Sequence, residues 1–202
     1  MTDRETSKRL FDIIASSIVL ILLMPLFGII AILIKLKSPG PVFFAQRRIG
    51  RNFRPFILCK FSSMVTHAQK NDINITVEGD PRITKIGKLL RKTKMDELPQ
   101  LWNVLKGDMS IVGPRPEVEK YVEMFMNEYQ EILQVRPGIT DYATIEFRNE
   151  EDILKKYSYP EEGYIKEILP RKIELYKRYL KDRSLSTDIK LIFLTLWKVI
   201  KR

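Results

Sequence analysis

Residues Ile13–Ile34 read IIASSIVLILLMPLFGIIAILI, 22 positions without a charge. As a straight helix rising about 1.5 Å per residue, this run would reach roughly 33 Å, enough to cross the hydrocarbon core of a bilayer. Lys8, Arg9 and Asp12 precede it, and Lys35 and Lys37 follow. A cleaved signal sequence fits poorly, because the run is too long and no small-residue cleavage site follows it. The segment is therefore expected to stay in the membrane. Pro25 stands inside it, with twelve apolar-run residues before and nine after. A proline removes one helical hydrogen bond and clashes with the carbonyl four residues earlier, here that of Ile21, so a kink is expected. Each arm then reaches about half the bilayer depth. Between Lys35 and Lys60 stand seven cations and no acid (Lys35, Lys37, Arg47, Arg48, Arg51, Arg54, Lys60). A spanning helix normally carries its basic excess on one side, whereas here both flanks are basic. The pattern favours a re-entrant helix that enters and leaves the same face, and a kinked spanning anchor is the alternative.

The rest of the 202-residue chain agrees with a folded unit beside this helix. Hydrophobic residues make up 45%, which offsets the ordering entropy and excludes a disordered chain. The length suggests one domain, with the membrane segment as an appendage. A single cysteine, Cys59, forbids a disulfide framework and points to a reducing compartment. One histidine, His67, rules out a site built only from His and Cys. The net charge of +10 calls for a polyanionic partner: nucleic acid, a membrane surface or a phosphorylated substrate.

The expected class is α+β, mainly helical with a small β-hairpin, divided into the membrane helix at 1–36 and a second unit at 37–202. Residues 42–44 and 56–58 read as short strands around a Gly50-Arg51-Asn52 turn. Residues 66–80 are polar and read as a mobile loop. Ile83, Ile86, Leu89 and Leu90 recur at helical spacing. A second helix is expected from Asp96 to Leu105, opened with the help of Pro99 and stopped by Gly107. Residues 117–135 and 161–182 read as helices. The stretch 186–202 combines Ile189, Phe193, Leu196, Trp197 and Ile200 with Lys190, Lys198 and Lys201, so it reads equally as a core helix or an interfacial one.

Asp96-Glu97 follows Arg91, Lys92 and Lys94 at this helix start. The helix dipole and these cations are expected to keep both carboxylates ionised. An ionised carboxylate can act as a nucleophile, and a neighbour can hold a divalent metal through oxygen. Acids are also favoured in the first turn of any helix, so the pair alone does not decide between chemistry and capping. Gly113-Pro114-Arg115-Pro116 and Arg136-Pro137-Gly138 each fix an arginine in a stiff turn, suited to a bidentate phosphate contact or to an ordinary surface position. His67 reads as solvated and Cys59 as a buried thiol.

Together these residues resemble the bacterial sugar transferase family, the monotopic phosphoglycosyl transferases, over nearly the whole chain. The most specific stretch is MDELPQLWNVLKGDMS at 95–110 followed by Val112-Gly113-Pro114-Arg115-Pro116. Lys8-Arg9-Leu10-Phe11-Asp12, Val135 to Thr140, Arg148-Asn149 and Asp188-Ile189-Lys190 add to it. The resemblance implies a cytoplasmic-face catalytic domain at the bacterial inner membrane, held by a re-entrant helix with Lys8, Arg9, Asp12 and Pro25. It implies transfer of a phosphosugar from a UDP-sugar to polyprenol phosphate, with Asp96 as nucleophile, Glu97 as ligand to Mg²⁺, and UMP released. Lys60, Arg91, Arg115, Arg136 and Arg148 are implied to bind phosphate. Three positions depart from the family pattern. Met24 stands where serine usually precedes the proline, Ser62 replaces a cation after Lys60-Phe61, and Asp141-Tyr142 replaces Gly-Trp.

A different reading is a membrane-tethered basic protein without catalysis, using its cations and the interleaved Phe43, Phe44, Phe53 and Phe56 to hold anionic lipid or nucleic acid. It leaves the carboxylate pair and arginine turns unexplained, and the sequence carries no nucleic-acid fold signature.

Overall fold

A computed structural model describes residues 3–38, 40–65 and 75–201. His67 and most of the polar 66–80 stretch lie outside them. Of that stretch, Ile75 and Val77 pack against the main core, so this end is not a free loop. Among the described residues, α1 (Asp3–Lys37) is the one helix long and apolar enough to cross a membrane, and it runs on through Pro25. Asp12, Ser16, Ile30 and Ile34 are buried, while Ile18, Ile21, Leu22, Met24 and Ile29 between them are exposed. Four-residue spacing puts each buried pair on one stripe of the helix.

After α1, strand β1 (Phe43–Ile49) pairs antiparallel with β2 (Pro55–Phe61), Phe43 opposite Phe61 and Ile49 opposite Pro55. The expected three-residue strands thus extend to seven each. Cys59 lies half-buried on β2 rather than fully buried, because every second residue of this hairpin faces partly outward. Helix α2 (Lys85–Thr93) is capped by Thr84, whose hydroxyl accepts the Gly87 N–H at 2.9 Å. A Cβ at Gly87 would lie 2.0 Å from the Ser63 carbonyl oxygen, so only glycine lets α2 lie this close to the irregular segment that follows β2. Ile30 and Ile34 of α1, Phe61 of β2 and Leu90 of α2 close a small apolar cluster there.

A 3-10 turn (Met95–Glu97) leads into α3 (Gln100–Lys106) and β3 (Ser110–Val112). The expected 117–135 helix is two, α4 (Glu119–Met124) and α5 (Met126–Ile132), broken at Phe125 with φ −123° and ψ 40°. The apolar stripe Tyr121, Val122, Tyr129, Ile132 continues across the break, which is why the sequence reads as one helix. Strand β4 (Gly138–Thr140) pairs parallel with β3, Ser110 opposite Gly138. Then come α6 (Tyr142–Glu146), α7 (Glu150–Leu154), α8 (Pro160–Gly163), a π-helical turn (Tyr164–Ile168), α9 (Leu169–Asp182) and α10 (Leu185–Ile200). The main core lies between α4–α5 and α8–α9, with Tyr121, Tyr129, Tyr164 and Tyr176 as its bulk. The class is as expected, mostly helical with small sheets.

Candidate active site

Asp96 and Glu97 sit on the 3-10 turn, one step before α3 rather than inside it. Lys94 ends α2 in the left-handed region, φ 57°, and its carbonyl accepts the Glu97 N–H at 3.2 Å. A non-glycine residue there carries strain of about 1–2 kcal/mol, and it reverses the chain so that both carboxylates turn inward. From the other side, α3 is fixed at both edges. The Asn103 carboxamide continues the edge of β2, donating to the Ile57 carbonyl at 2.7 Å and accepting the Cys59 N–H at 3.1 Å. Arg9 of α1 donates to the terminal carbonyls of Val104 and Leu105 at 2.5 and 2.8 Å. Gly107, φ 93°, closes the helix, and Arg136 Nε donates to its carbonyl at 2.8 Å.

Glu97 is the centre of the charge cluster. Arg115 grips it two-pronged, Nη1 to Oε2 at 3.0 Å and Nη2 to Oε1 at 2.5 Å, and Lys60 Nζ reaches Oε1 at 3.0 Å. Burial by itself would raise this carboxyl, but Arg115 and Lys60 draw it well below the usual range. Asp96, only 5% exposed, has a buried Oδ1 without a hydrogen-bond partner. Burial, and then the negative charge of Glu97, push its carboxyl up, opposed by Lys60, Arg91 and Lys94. The shift at Glu97 favours the ionised form that the sequence leads one to expect, whereas the shift at Asp96 runs the other way. A two-residue dipeptide in sequence becomes two different groups, because the fold gives all the direct cation contacts to one of them.

Arg115 reaches Glu97 because two glycines let two loops touch. A Cβ on Gly113 would lie 2.6 Å from the Arg136 carbonyl oxygen, and one on Gly138 would lie 2.1 Å from the Gly113 nitrogen. The two arginine turns thus lie back to back, and their side chains diverge. Arg115 enters the carboxylate cluster, whereas Arg136 goes to α3's end, where burial and the nearby Arg9 and Arg51 lower its pKa. Arg91 pairs with Glu151 at 2.5 Å and lies near enough to Asp96 to act on its charge. Arg148 lines a separate cavity beside α10. Of the five expected phosphate ligands, Lys60 and Arg115 contact Glu97 and Arg91 stands beside Asp96, while Arg136 and Arg148 line other surfaces.

The N-terminal residues tie α1 down. Lys8 pairs with Asp188 at 2.5 Å, and Asp188 also accepts from Tyr179 Oη at 2.8 Å. Asp12 accepts the Ile111 N–H at 3.1 Å. Sequence reasoning missed Asn103, Glu151 and the buried group behind Arg115, where Glu117 accepts from Tyr164 Oη at 2.6 Å and Lys172 pairs with Glu150. The signals for these were the place of Asn103 inside the 95–110 stretch and that of Glu117 directly after the 113–116 turn.

A divalent ion can be accommodated, though not by protein alone. No group of three His, Cys, Asp or Glu side chains suited to a metal occurs among the described residues. Magnesium, however, is commonly held by one or two carboxylates plus substrate phosphates. A carboxylate offers about four acceptor positions, and Glu97 spends three, while Asp96 Oδ1 stands open.

Near this cluster, Asp141 is fully buried, caps α6 by accepting the Thr144 N–H at 2.7 Å, and leaves Oδ2 without a partner. Burial pushes its carboxyl up to about 6. The folded state then holds this proton more tightly than the unfolded chain, so stability falls as pH rises from about 4 to 6. With each pKa unit corresponding to about 1.4 kcal/mol, ionised Asp141 costs on the order of 3 kcal/mol at neutral pH. Asp141→Asn keeps the cap and removes the charge. Its melting temperature is expected above wild type at pH 7 and level with it at pH 4; lower values at both would refute the buried-charge account.

Comparison with known proteins settles the family. The bacterial sugar transferase profile matches residues 3–202. The chain belongs to the bacterial sugar transferase family. Within it, the chain is 38% identical over 195 residues to UDP-glucose:undecaprenyl-phosphate glucose-1-phosphate transferase of Escherichia coli (strain K12), covering 95% of this chain and 39% of the relative. It is 39% identical to UDP-N-acetylgalactosamine-undecaprenyl-phosphate N-acetylgalactosaminephosphotransferase of Aeromonas hydrophila, covering 96% and 43%. Exopolysaccharide production protein ExoY of Rhizobium meliloti (strain 1021) is 33% identical, covering 94% and 84%. The chain thus spans about two fifths of the length of the first two relatives.

Proposed function

We propose that this bacterial sugar transferase moves a phosphosugar from a UDP-sugar to polyprenol phosphate at the cytoplasmic face of the bacterial inner membrane. The observation that carries the reading is the Glu97–Arg115–Lys60 cluster beside the unpartnered oxygen of Asp96. A diphosphate and a carboxylate nucleophile repel each other, so the reaction needs fixed cations at the point where they meet. Lys60 and Arg115 are held in place by Glu97, with Arg91 close by. Bound Mg²⁺, held by Glu97 together with the donor's phosphates, would supply further neutralisation of charge.

In the first step an Asp96 carboxylate oxygen bonds to the phosphorus that carries the sugar. The bond from that phosphorus to the bridging oxygen breaks, and UMP leaves with the bridging oxygen. In the second step an oxygen of polyprenol phosphate attacks the same phosphorus, and Asp96 departs as a free carboxylate. Burial and the Glu97 charge raise the Asp96 pKa against the cations around it, so the rate is expected to fall on the acid side from a higher pH than for an ordinary aspartate. Incubation with a UDP-sugar alone, followed by intact mass, tests the reading. A mass increase equal to one phosphosugar and release of UMP are expected; no adduct and no UMP until polyprenol phosphate is added would replace the covalent course with direct transfer.

The membrane arrangement follows from α1. Lys8, Arg9 and Asp12 at the start of its apolar run and Ile30 and Ile34 near its end all attach to the same 37–202 domain. A spanning helix would separate those points by about 30 Å of hydrocarbon. Their common attachment supports a re-entrant helix at 1–36, with the exposed middle around Met24 and Pro25 entering the lipid. Trp102 of α3 and Trp197 of α10, each exposed and with a lysine over its ring, support amphipathic helices at the interface. Single cysteines at Thr6 and Lys37 in a Cys59→Ser chain are both expected to react from the cytoplasmic side. Labelling of the Thr6→Cys probe only from the opposite face would replace re-entry with a span. This set of substrates leaves the basic surface to lipid and phosphate, with no part for nucleic acid.

A further inference from the structure

Helix α10 leaves an apolar face uncovered: Phe193 is 67%, Trp197 53% and Ile200 82% exposed. Beside the end of that face, α10 and the α6–α7 joint line an open cleft of about 540 Å³, the size of a small-molecule site. Four cations line it: Arg148, Lys156, Lys198 and Lys201. Two acids share the lining, Glu146 and Asp152, and Glu146 is already committed to Arg171 at 3.1 Å. Lys198 Nζ is fixed on the wall by the Ile145 carbonyl at 3.0 Å, and Lys201 lies over the Trp197 ring at 4.5 Å. Asp96, Glu97, Lys60 and Arg115 are not among the walls, so the reaction centre does not account for this charge.

We infer that this cavity binds the phosphate of a net-negative membrane lipid whose chains lie along the exposed face of α10. Each half of the arrangement excludes a simpler ligand. A soluble phosphate compound would leave the Phe193–Ile200 shelf with no function, and a neutral lipid would leave Lys156 and Lys201, which pair with no acid among the described residues, without a counter-charge. Guanidinium and ammonium groups are the usual donors to phosphate oxygens, and tryptophan favours the headgroup level of a bilayer. The lipid phosphate then sits at the mouth, between Lys156 and Lys201, while the chains run past Trp197. The inference rests on the reading of α10 as an interfacial helix, and it is independent of the covalent chemistry at Asp96.

The sequence has two tryptophans, so Trp102→Phe leaves Trp197 as the one reporter. The whole chain in this form is reconstituted into zwitterionic bilayers carrying either bromine-tailed phosphatidylglycerol or the same amount of bromine-tailed phosphatidylcholine. Quenching of Trp197 by the anionic lipid is expected to exceed that by the neutral one by on the order of fivefold, about what one well-placed cation contributes at an anionic surface. Adding Lys156→Gln and Lys201→Gln, at exposed positions where folding is not at stake, is expected to remove the preference while quenching by the neutral lipid persists. Equal quenching by the two lipids before those changes would overturn the inference. So would loss of the preference on adding inorganic phosphate, which would make the cavity a free-oxyanion site. Quenching by neither lipid would overturn both the inference and the interfacial placement of α10, whereas a failed donor-adduct experiment would touch only the proposed reaction.

Discussion

Asp96→Asn is expected to lower turnover by on the order of a thousandfold or more, since it removes the only group assigned to attack phosphorus. The fold should survive. Asp96 Oδ1 has no hydrogen-bond partner, so the near-isosteric amide breaks no contact at that atom. The change also removes a negative charge next to Glu97, which is one of the causes pushing the Asp96 carboxyl up. A melting temperature at or above wild type, with no donor-derived mass adduct and no UMP release, is the expected result. Turnover near the wild-type rate would end the assignment of Asp96 as nucleophile.

Arg115→Lys is expected to reduce kcat/KM by roughly tenfold to a hundredfold, although the charge is retained. The guanidinium makes two parallel bonds to Glu97, at 3.0 and 2.5 Å, and a lysine ammonium cannot reproduce that planar grip. Charge-assisted bonds of this kind contribute about 1.5–3 kcal/mol each, and about 1.4 kcal/mol corresponds to a tenfold rate change. Glu97 would keep Lys60 as its partner, so part of the cluster should persist. Steady-state kinetics over a range of donor concentrations provide the measurement. A loss within about twofold, well short of the tenfold that 1.4 kcal/mol produces, would mean that Arg115 acts through bulk charge alone.

The outcome at each element follows from how far its cause lies along the chain. The long apolar helix α1 was legible because 22 consecutive uncharged residues decide it locally. So were α2, α3 and α10, whose apolar spacing and caps are written within a few residues, and the carboxylate pair itself. The break at Phe125 was not legible, since the apolar stripe runs across it unchanged. Strands β3 and β4 were missed because three residues carry too little alternation, and their pairing depends on a contact between Gly113 and Gly138 that are 25 positions apart.

Within the site the same division holds. The sequence by itself determined which residues carry charge: an Asp-Glu pair after a basic run, and two arginines stiffened by proline. Only the tertiary structure decided which of them meet. It sent Arg115 and Lys60 to Glu97, left Asp96 buried without a direct cation contact, and turned Arg136 toward the end of α3. It also attached the start of α1 to α3 and its end to Phe61 of β2 and Leu90 of α2. Helical spacing and turn chemistry act between neighbours, whereas desolvation and ion pairing act between groups that meet only after the chain has folded, so a carboxyl's protonation state belongs to the fold.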